Sequence, residues 1–426
     1  MLMNGISRRE IMNGAIGMGG LALTTLATRA SSAIAAQSTD VRPFRIDVPQ
    51  AELDSLKVRL DLTRWPEKET VGDMRQGVPL VRMRALVEHW RTKYDWRKVE
   101  TQINAHPQFM TTIDGVDIHF LHIRSKHPDA TPMIMTHGWP GSIVEMLKVI
   151  GPLTDPVPHG GKPEDAFHLV LPSIPGHGFS GKPTEEGWGR ERVARAWSVL
   201  MVRLGYDRYV AQGGDWGSVI TQELARQAPK GLIGIHVNMP AVVPKVMPAN
   251  LGPDEQAAKE ALEAFSWDRS GYAHIMMTRP QSIGYGLDDS PVGLAAWIYE
   301  KFIDWTDSGG RPETVLSTDE MLDDIMMYWL TNSGASSARF YWNNNGLAFY
   351  PVGIDLPVGV SVFPGEIYKA PLSWSKAAFP HLIYYNKVAR GGHFAAFEQP
   401  VYFVREVRSC FAELRADPTA RRSPAR

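Results

Sequence analysis

The chain has a single cysteine, Cys410, in 426 residues. No disulfide can form within it, and no metal site built from several thiolates can exist. A lone cysteine in such a chain reads as a small buried apolar residue. Net charge is equally scarce: 45 Lys and Arg stand against 46 Asp and Glu, a formal −1. That removes the broad electrostatic case for binding nucleic acid or an anionic membrane. Long apolar runs are missing too. A spanning helix needs about 20 strongly apolar residues. The stretch 11–27 is short, rich in glycine, interrupted by Thr24 and Thr25, and closed by Thr28 and Arg29. The sequence therefore predicts no integral membrane span in the mature chain.

What is present suits a large globular core. Hydrophobic residues make up 44% of the chain, and its length fits one big α/β domain with additions. The first 36 residues read differently. Ser7-Arg8-Arg9-Glu10-Ile11-Met12 opens a twin-arginine pattern, and Ala33-Ile34-Ala35 offers a small-residue cleavage site. The expectation is a bacterial twin-arginine signal peptide over 1–36 and a periplasmic or secreted product. That route carries folded proteins, which suits a chain without disulfides.

Residues 41–105 form an N-terminal helical segment with no catalytic signature of its own, expected to wrap or brace the core. From 106 to 240, short apolar strands alternate with helical stretches (143–150 and 192–204), the pattern of a mostly parallel sheet covered on both faces. Asp114-Gly115 within 112–120 marks a hairpin turn. Residues 241–345 are helical, rich in Trp and Met, and broken by Gly and Pro. A helical insertion between strands of such a sheet is a lid that excludes water. Strand signals return at 357–363 and 381–385, so 346–416 completes the core, and 417–426 is a frayed tail. Thirteen tryptophans are many. Several (Trp139, Trp188, Trp216, Trp297, Trp305, Trp329, Trp342) fall in or near the segments assigned to the pocket and lid.

The chemistry concentrates at strand ends. Gly213-Gly214-Asp215-Trp216-Gly217 lies between an expected strand at 207–212 and an expected helix at 218–227. Small-x-acid-x-small at that junction is the spacing of a nucleophile elbow, with a carboxylate where serine often stands. Glu366 and His393 follow the last two strands, giving the chain order nucleophile, acid, histidine. His137-Gly138-Trp139-Pro140 follows an earlier strand. Each also has a plainer reading. Asp215 could cap the helix behind it, Glu366 could be a solvated acid, His393 could be a structural loop histidine, and His137–Pro140 only a turn. Their joint order after successive strands argues against four coincidences.

These runs resemble the epoxide hydrolases of the microsomal type. The resemblance is carried by His137-Gly138-Trp139-Pro140-Gly141-Ser142, Gly213-Gly214-Asp215-Trp216-Gly217-Ser218, Asp289-Ser290-Pro291-Val292-Gly293-Leu294-Ala295-Ala296 and Arg390-Gly391-Gly392-His393-Phe394-Ala395-Ala396-Phe397-Glu398. It spans about 44–410 and implies an α/β-hydrolase fold with a helical lid insertion and an N-terminal bracing segment. It also implies that two lid tyrosines bind the epoxide oxygen, and Tyr272 and Tyr341 occupy the matching runs. The residues alone do not rank them above Tyr285, Tyr299 or Tyr328. Mammalian members carry an N-terminal membrane anchor where this chain has its twin-arginine pattern.

The resemblance further implies an ester-forming Asp215, a water activated by His393 with Glu366, and ring opening assisted by Tyr272 and Tyr341. Backbone N–H groups of Trp139 and Trp216 would form the oxyanion hole, and Trp139, Trp216 and Phe179 are expected to line the pocket. The product is a vicinal diol, with neither metal nor cofactor required. The partners are a bulky apolar epoxide and water, with no nucleic acid; oligomeric state stays open, a homodimer included. Two rivals remain at this stage. A haloalkane dehalogenase would use the same aspartate, with the two indoles holding halide, and an exported binding protein could keep the pocket without turnover.

Overall fold

The computed structural model describes residues 40–345 and 349–416. The signal expected over 1–36 and the tail at 417–426 lie outside them. The strands are β1 (Arg42–Phe44), β2 (Gln108–Ile113), β3 (Val116–Ile123), β4 (Thr131–Thr136), β5 (Phe167–Pro172), β6 (Tyr209–Gly213), β7 (Leu232–Val237), β8 (Val358–Val362) and β9 (Leu382–Lys387). They form one nine-stranded sheet in the order β1-β2-β3-β5-β4-β6-β7-β8-β9. The pairs β1–β2, β2–β3 and β3–β5 are antiparallel, and every pair from β5 to β9 is parallel. All residues of β6 and β8 are buried, as expected of parallel strands covered on both faces.

Asp114 and Gly115 both adopt positive φ, 50° and 82°, at the β2–β3 turn. This is why Asp-Gly was readable there. Strand β1 was not expected. It is three residues long, contains Pro43 and lies at the sheet edge, where a missing N–H costs no ladder bond. The expected helix at 143–150 divides into a 3-10 turn (Ile143–Met146) and an α-helix (Leu147–Thr154). Helices Arg190–Arg203 and Trp216–Gln227 pack on one another, as do Leu147–Thr154 and Pro400–Ala416.

The inserted segment is helical from Pro253 to Asn343, with a π-helical turn at Phe265–Arg269. Its methionines chiefly pack, Met276, Met321, Met326 and Met327 being buried, whereas of its tryptophans Trp305 is buried and Trp267 and Trp342 are exposed. The N-terminal helices Gln50–Asp61, Leu80–Thr92 and Trp96–Asn104 brace this lid, packing on Pro291–Trp305 and Thr318–Leu330. His89 Nε2 lies 2.6 Å from Asp319 Oδ1, and the Tyr94 hydroxyl donates to Asp323 Oδ1 at 2.7 Å. Arg59 donates to the Asp289 carbonyl at 2.7 Å.

Candidate active site

The strand order reverses around β4, which has β5 on one side and β6 on the other. In open α/β sheets the crevice at the carboxyl ends beside such a reversal is where ligands bind. Loops leaving β4, β6, β8 and β9 deliver His137–Pro140, Asp215, Glu366 and His393 to that edge.

Asp215 has φ 51° and ψ −128°, a strained backbone for any residue with a side chain. Its neighbours must be small. A Cβ on Gly213 would overlap the Gly217 carbonyl, and one on Gly217 the Thr136 carbonyl. Asp215 does occupy the N-cap position of helix Trp216–Gln227, yet its side chain makes no capping bond. It turns outward instead. Oδ1 accepts the backbone N–H of Trp139 at 2.8 Å, and Oδ2 lies 3.2 Å from His393 Nε2. The plain helix-cap reading of this aspartate is thereby corrected.

His393 Nδ1 donates to Glu366 Oε1 at 2.6 Å, and both side chains are buried. The solvated-acid reading of Glu366 is corrected as well. Burial disfavours an imidazolium at His393, but Glu366 and Asp215 beside it more than offset this and hold its pKa well above the usual imidazole range. The lid also secures His393, a feature the sequence did not reveal. The Trp305 carbonyl accepts the His393 N–H at 2.9 Å, and the two rings lie 4.8 Å apart. Asp307 and Glu398 complete the stitch: Gly391 N–H donates to Asp307 Oδ2 at 3.0 Å and Asp307 N–H to Glu398 Oε2 at 2.8 Å.

Tyr272 and Tyr341 reach the same place from helices Gly271–Thr278 and Gly334–Asn343. Tyr272 stacks on Trp139 at 5.0 Å, and Tyr341 meets Trp216 edge-on at 4.8 Å. Burial, then the nearby Asp215 charge, raises the Tyr272 pKa; burial, then Tyr272 and Asp215, raises that of Tyr341. Both phenols keep their protons at neutral pH. Lys301, buried and ion-paired with Glu300, sits 4.2 Å above the Tyr272 ring. Nothing in the sequence pointed to it, and its cation–π attraction fixes the ring plane. The other three tyrosines stand apart: Tyr299 bonds Glu313, Tyr328 donates to the Gly141 carbonyl at 2.8 Å, and Tyr285 is exposed.

A cavity of about 280 Å³ opens above these groups. Asp215, Trp216, Tyr272 and Tyr341 meet a wall of Val219, Met239, Leu262, Phe265, Met277, Phe349 and Ile367. Phe179 is elsewhere. It packs against Phe44 at 5.6 Å and His119 at 5.7 Å, beneath the edge strand β1 that the sequence did not predict. Trp139 lines a smaller cavity behind Asp215 rather than this one. Of the remaining lid and pocket tryptophans, Trp188 lies under Arg192 and Trp329 under Arg59. Among the described residues no cluster of three or more His, Cys, Asp or Glu could hold a metal ion.

An elbow acid, a histidine and a second acid, all at carboxyl ends of one mostly parallel sheet beneath a helical lid, define an α/β-hydrolase. Residues 131–274 match the alpha/beta hydrolase fold model, and residues 41–146 match that of the epoxide hydrolase N terminus. A Stigmatella aurantiaca protein whose name places it with the epoxide hydrolases is 54% identical, covering 96% of this chain and 95% of its own. Epoxide hydrolase 1 of Sus scrofa is 36% identical over 88% of this chain and 89% of its own. Among solved structures, juvenile hormone epoxide hydrolase of Bombyx mori matches with a TM-score of 0.81 at 30% identity, covering 89% and 96% of the two chains. Aspergillus niger epoxide hydrolase gives 0.78 at 32% identity, covering 88% and 97%. The chain belongs to the epoxide hydrolase family. These relatives favour neither the dehalogenase reading nor that of a silent binding protein.

Proposed function

We propose that this enzyme opens apolar epoxides through a covalent ester on Asp215. The observation that carries the reading is the pair of contacts on that carboxylate. Oδ1 is held by the Trp139 N–H, which leaves Oδ2 as the attacking oxygen. Oδ2 attacks the less hindered ring carbon, the C–O bond breaks, and Tyr272 or Tyr341 gives its proton to the opening oxygen. Ester formation removes the Asp215 charge, one of the two that hold His393 protonated. His393 then releases its proton to solvent and becomes a competent base, regaining that proton once the free carboxylate returns. It takes a proton from water, whose oxygen adds to the ester carbon while Oδ1 carries the developing charge at the Trp139 and Trp216 N–H groups. His393 returns the proton to the departing Oδ2, now the second hydroxyl of a vicinal diol. The remaining carboxyl proton of Asp215 restores the tyrosine.

The apolar cavity wall supports an apolar epoxide of moderate size. A single turnover in ¹⁸O-water is expected to leave label in the Asp215 carboxylate, because the first diol carries away an oxygen already in the protein. Label found directly in that diol would overturn the ester route. Residues 1–36 are proposed to direct twin-arginine export. Replacing Arg8 and Arg9 by lysine should retain the product inside the cell, and undiminished export would remove the proposal.

A further inference from the structure

Behind the nucleophile lies a cavity of about 30 Å³, distinct from the substrate cavity. A single water needs roughly 10–15 Å³ of such space, so one or two fit. Its polar wall includes Asp215, His393 and Glu145. The ester route employs the first two, and nothing so far employs Glu145.

The chain delivers Glu145 to this wall deliberately. Ser142 Oγ accepts the Val144 N–H at 3.2 Å and starts the 3-10 turn Ile143–Met146, in which Glu145 is the third residue. Ser142 Oγ also donates to Asp324 Oδ1 at 2.6 Å, tying the turn to lid helix Thr318–Leu330. The Glu145 carboxyl folds back over the preceding loop: a Cβ on Gly141 would come within 2.6 Å of its Oε1, and the Gly138 N–H donates to it. Glu145 keeps some accessible surface because it lines the cavity, while protein surrounds the carboxyl. Burial raises its pKa to about 8, with Asp215 adding to the effect and His393 opposing it. At neutral pH it is chiefly a neutral acid with one donor and a free accepting oxygen.

A second observation concerns His393. In the free enzyme Nε2 faces Asp215 Oδ2 at 3.2 Å. Once Oδ2 is esterified that pairing with a carboxylate is lost, and the buried ring nitrogen then needs another group.

We infer that Glu145 positions the hydrolytic water, held in this cavity between its carboxyl and His393 Nε2, beside the Asp215 carboxyl carbon. The inference rests on the ester route proposed above. One water hydrogen passes to His393 as the oxygen bonds to the ester carbon. Glu145 accepts the other hydrogen in a hydrogen bond, fixing which lone pair faces that carbon. Glu145 forms no bond itself and loses no proton in the step.

Single turnovers with styrene oxide, followed by the mass of the quenched protein, separate ester formation from ester breakdown. In Glu145→Met, breakdown should slow by about 10–100-fold, the usual penalty for a misplaced reactant, while formation stays within about threefold. Glu145→Gln keeps the accepting oxygen and should restore breakdown to within about fivefold of the parent. If the methionine variant fails to fold, Glu145→Ala carries the same expectation. Breakdown at the parental rate, equal slowing of both steps, or a glutamine variant as slow as the methionine one overturns the assignment. A parent enzyme that never gains the mass of the epoxide overturns the ester route itself, a separate and recognisable failure.

Discussion

The Trp139 N–H donates to Asp215 Oδ1 at 2.8 Å, so one oxygen of the carboxylate is already held by a backbone donor before any substrate arrives. This single bond orients the acid. In the ester route proposed above it assigns Oδ1 to the developing oxyanion and Oδ2 to the attack, and it opposes the strain at φ 51° and ψ −128°. Gly138 makes the approach feasible, since a Cβ there would overlap Oδ1.

Strain of this kind costs about 1–3 kcal/mol when the residue carries a Cβ. Both Asp215→Ala and Asp215→Gly should lose turnover by on the order of 10⁴ or more, as expected when a nucleophile is removed. Their stabilities should differ. The glycine variant is expected to unfold about 1–3 kcal/mol above the alanine variant in urea. Equal midpoints would mean that the elbow is relaxed.

The two phenols should act on ring opening alone. Tyr272→Phe and Tyr341→Phe each remove one donor to the opening oxygen while keeping the ring contacts with Trp139 and Trp216. Loss of one such donor slows a step by about 10²–10³-fold. Ester formation should fall by that order in each variant, with ester breakdown unchanged. Quenching of tryptophan fluorescence during a rapid-mixing single turnover reports both rates, and slowing confined to breakdown would remove the tyrosines from ring opening.

Glycines at the elbow and in the lid should respond in opposite directions. Gly217→Ala drives a Cβ into the Thr136 carbonyl, backbone that cannot yield. A loss of more than about 3 kcal/mol is expected, at the upper end for point substitutions. Gly286, inside helix Pro280–Asp289, has nothing within 4 Å of its Cβ direction. Gly286→Ala should stabilise by about 0.4–1 kcal/mol through helix propensity and a less free unfolded chain. Thermal unfolding of the two variants measures both signs.

Legibility followed how local each signal was. Asp215 was readable because its neighbours must be glycine for the chain to turn there, and steric demand of that sort is written in adjacent residues. The Asp114-Gly115 hairpin was readable for the same reason. Strand β1 was not, because three residues with a proline carry no alternation, and only β2, some 64 residues on, makes them a strand. Phe179 was misassigned because its partners Phe44 and His119 come from that strand and its sheet. The pairing of Glu366 with His393 joins the loops after two separate strands, and the hold of Trp305 on His393 crosses the lid boundary. No spacing within one segment encodes them. Tyr272 and Tyr341 gained their rank over other tyrosines only from family resemblance, and their convergence on Trp139 and Trp216 supplies the physical reason the residues alone lacked.

The buried acid of Glu145 should leave its mark on stability as well as on rate. Its folded pKa is about 8, above the usual carboxyl value of about 4.5, so the native state keeps a proton that the unfolded chain releases. Wherever the native state binds more protons, stability falls as pH rises. The Glu145 contribution is therefore absent below about pH 4.5, destabilises progressively up to about pH 8, and is constant beyond. A shift of this size amounts to at most about 5 kcal/mol at one pKa unit per 1.36 kcal/mol. Protonated His393 pulls the same way, since its folded pKa is raised: its stabilisation is full below about pH 6.5 and lost as pH rises through the higher value. Glu398 and Asp323, each raised to about 7 chiefly by burial, add to the trend. Comparing Glu145→Gln with the parent isolates one group, because glutamine cannot ionise. The variant should gain stability relative to the parent as pH rises from 5 to 8, read from urea unfolding at three or four pH values. A constant difference across that range would mean that Glu145 titrates as it does in the unfolded chain, and its neutral state at pH 7 would be disproved.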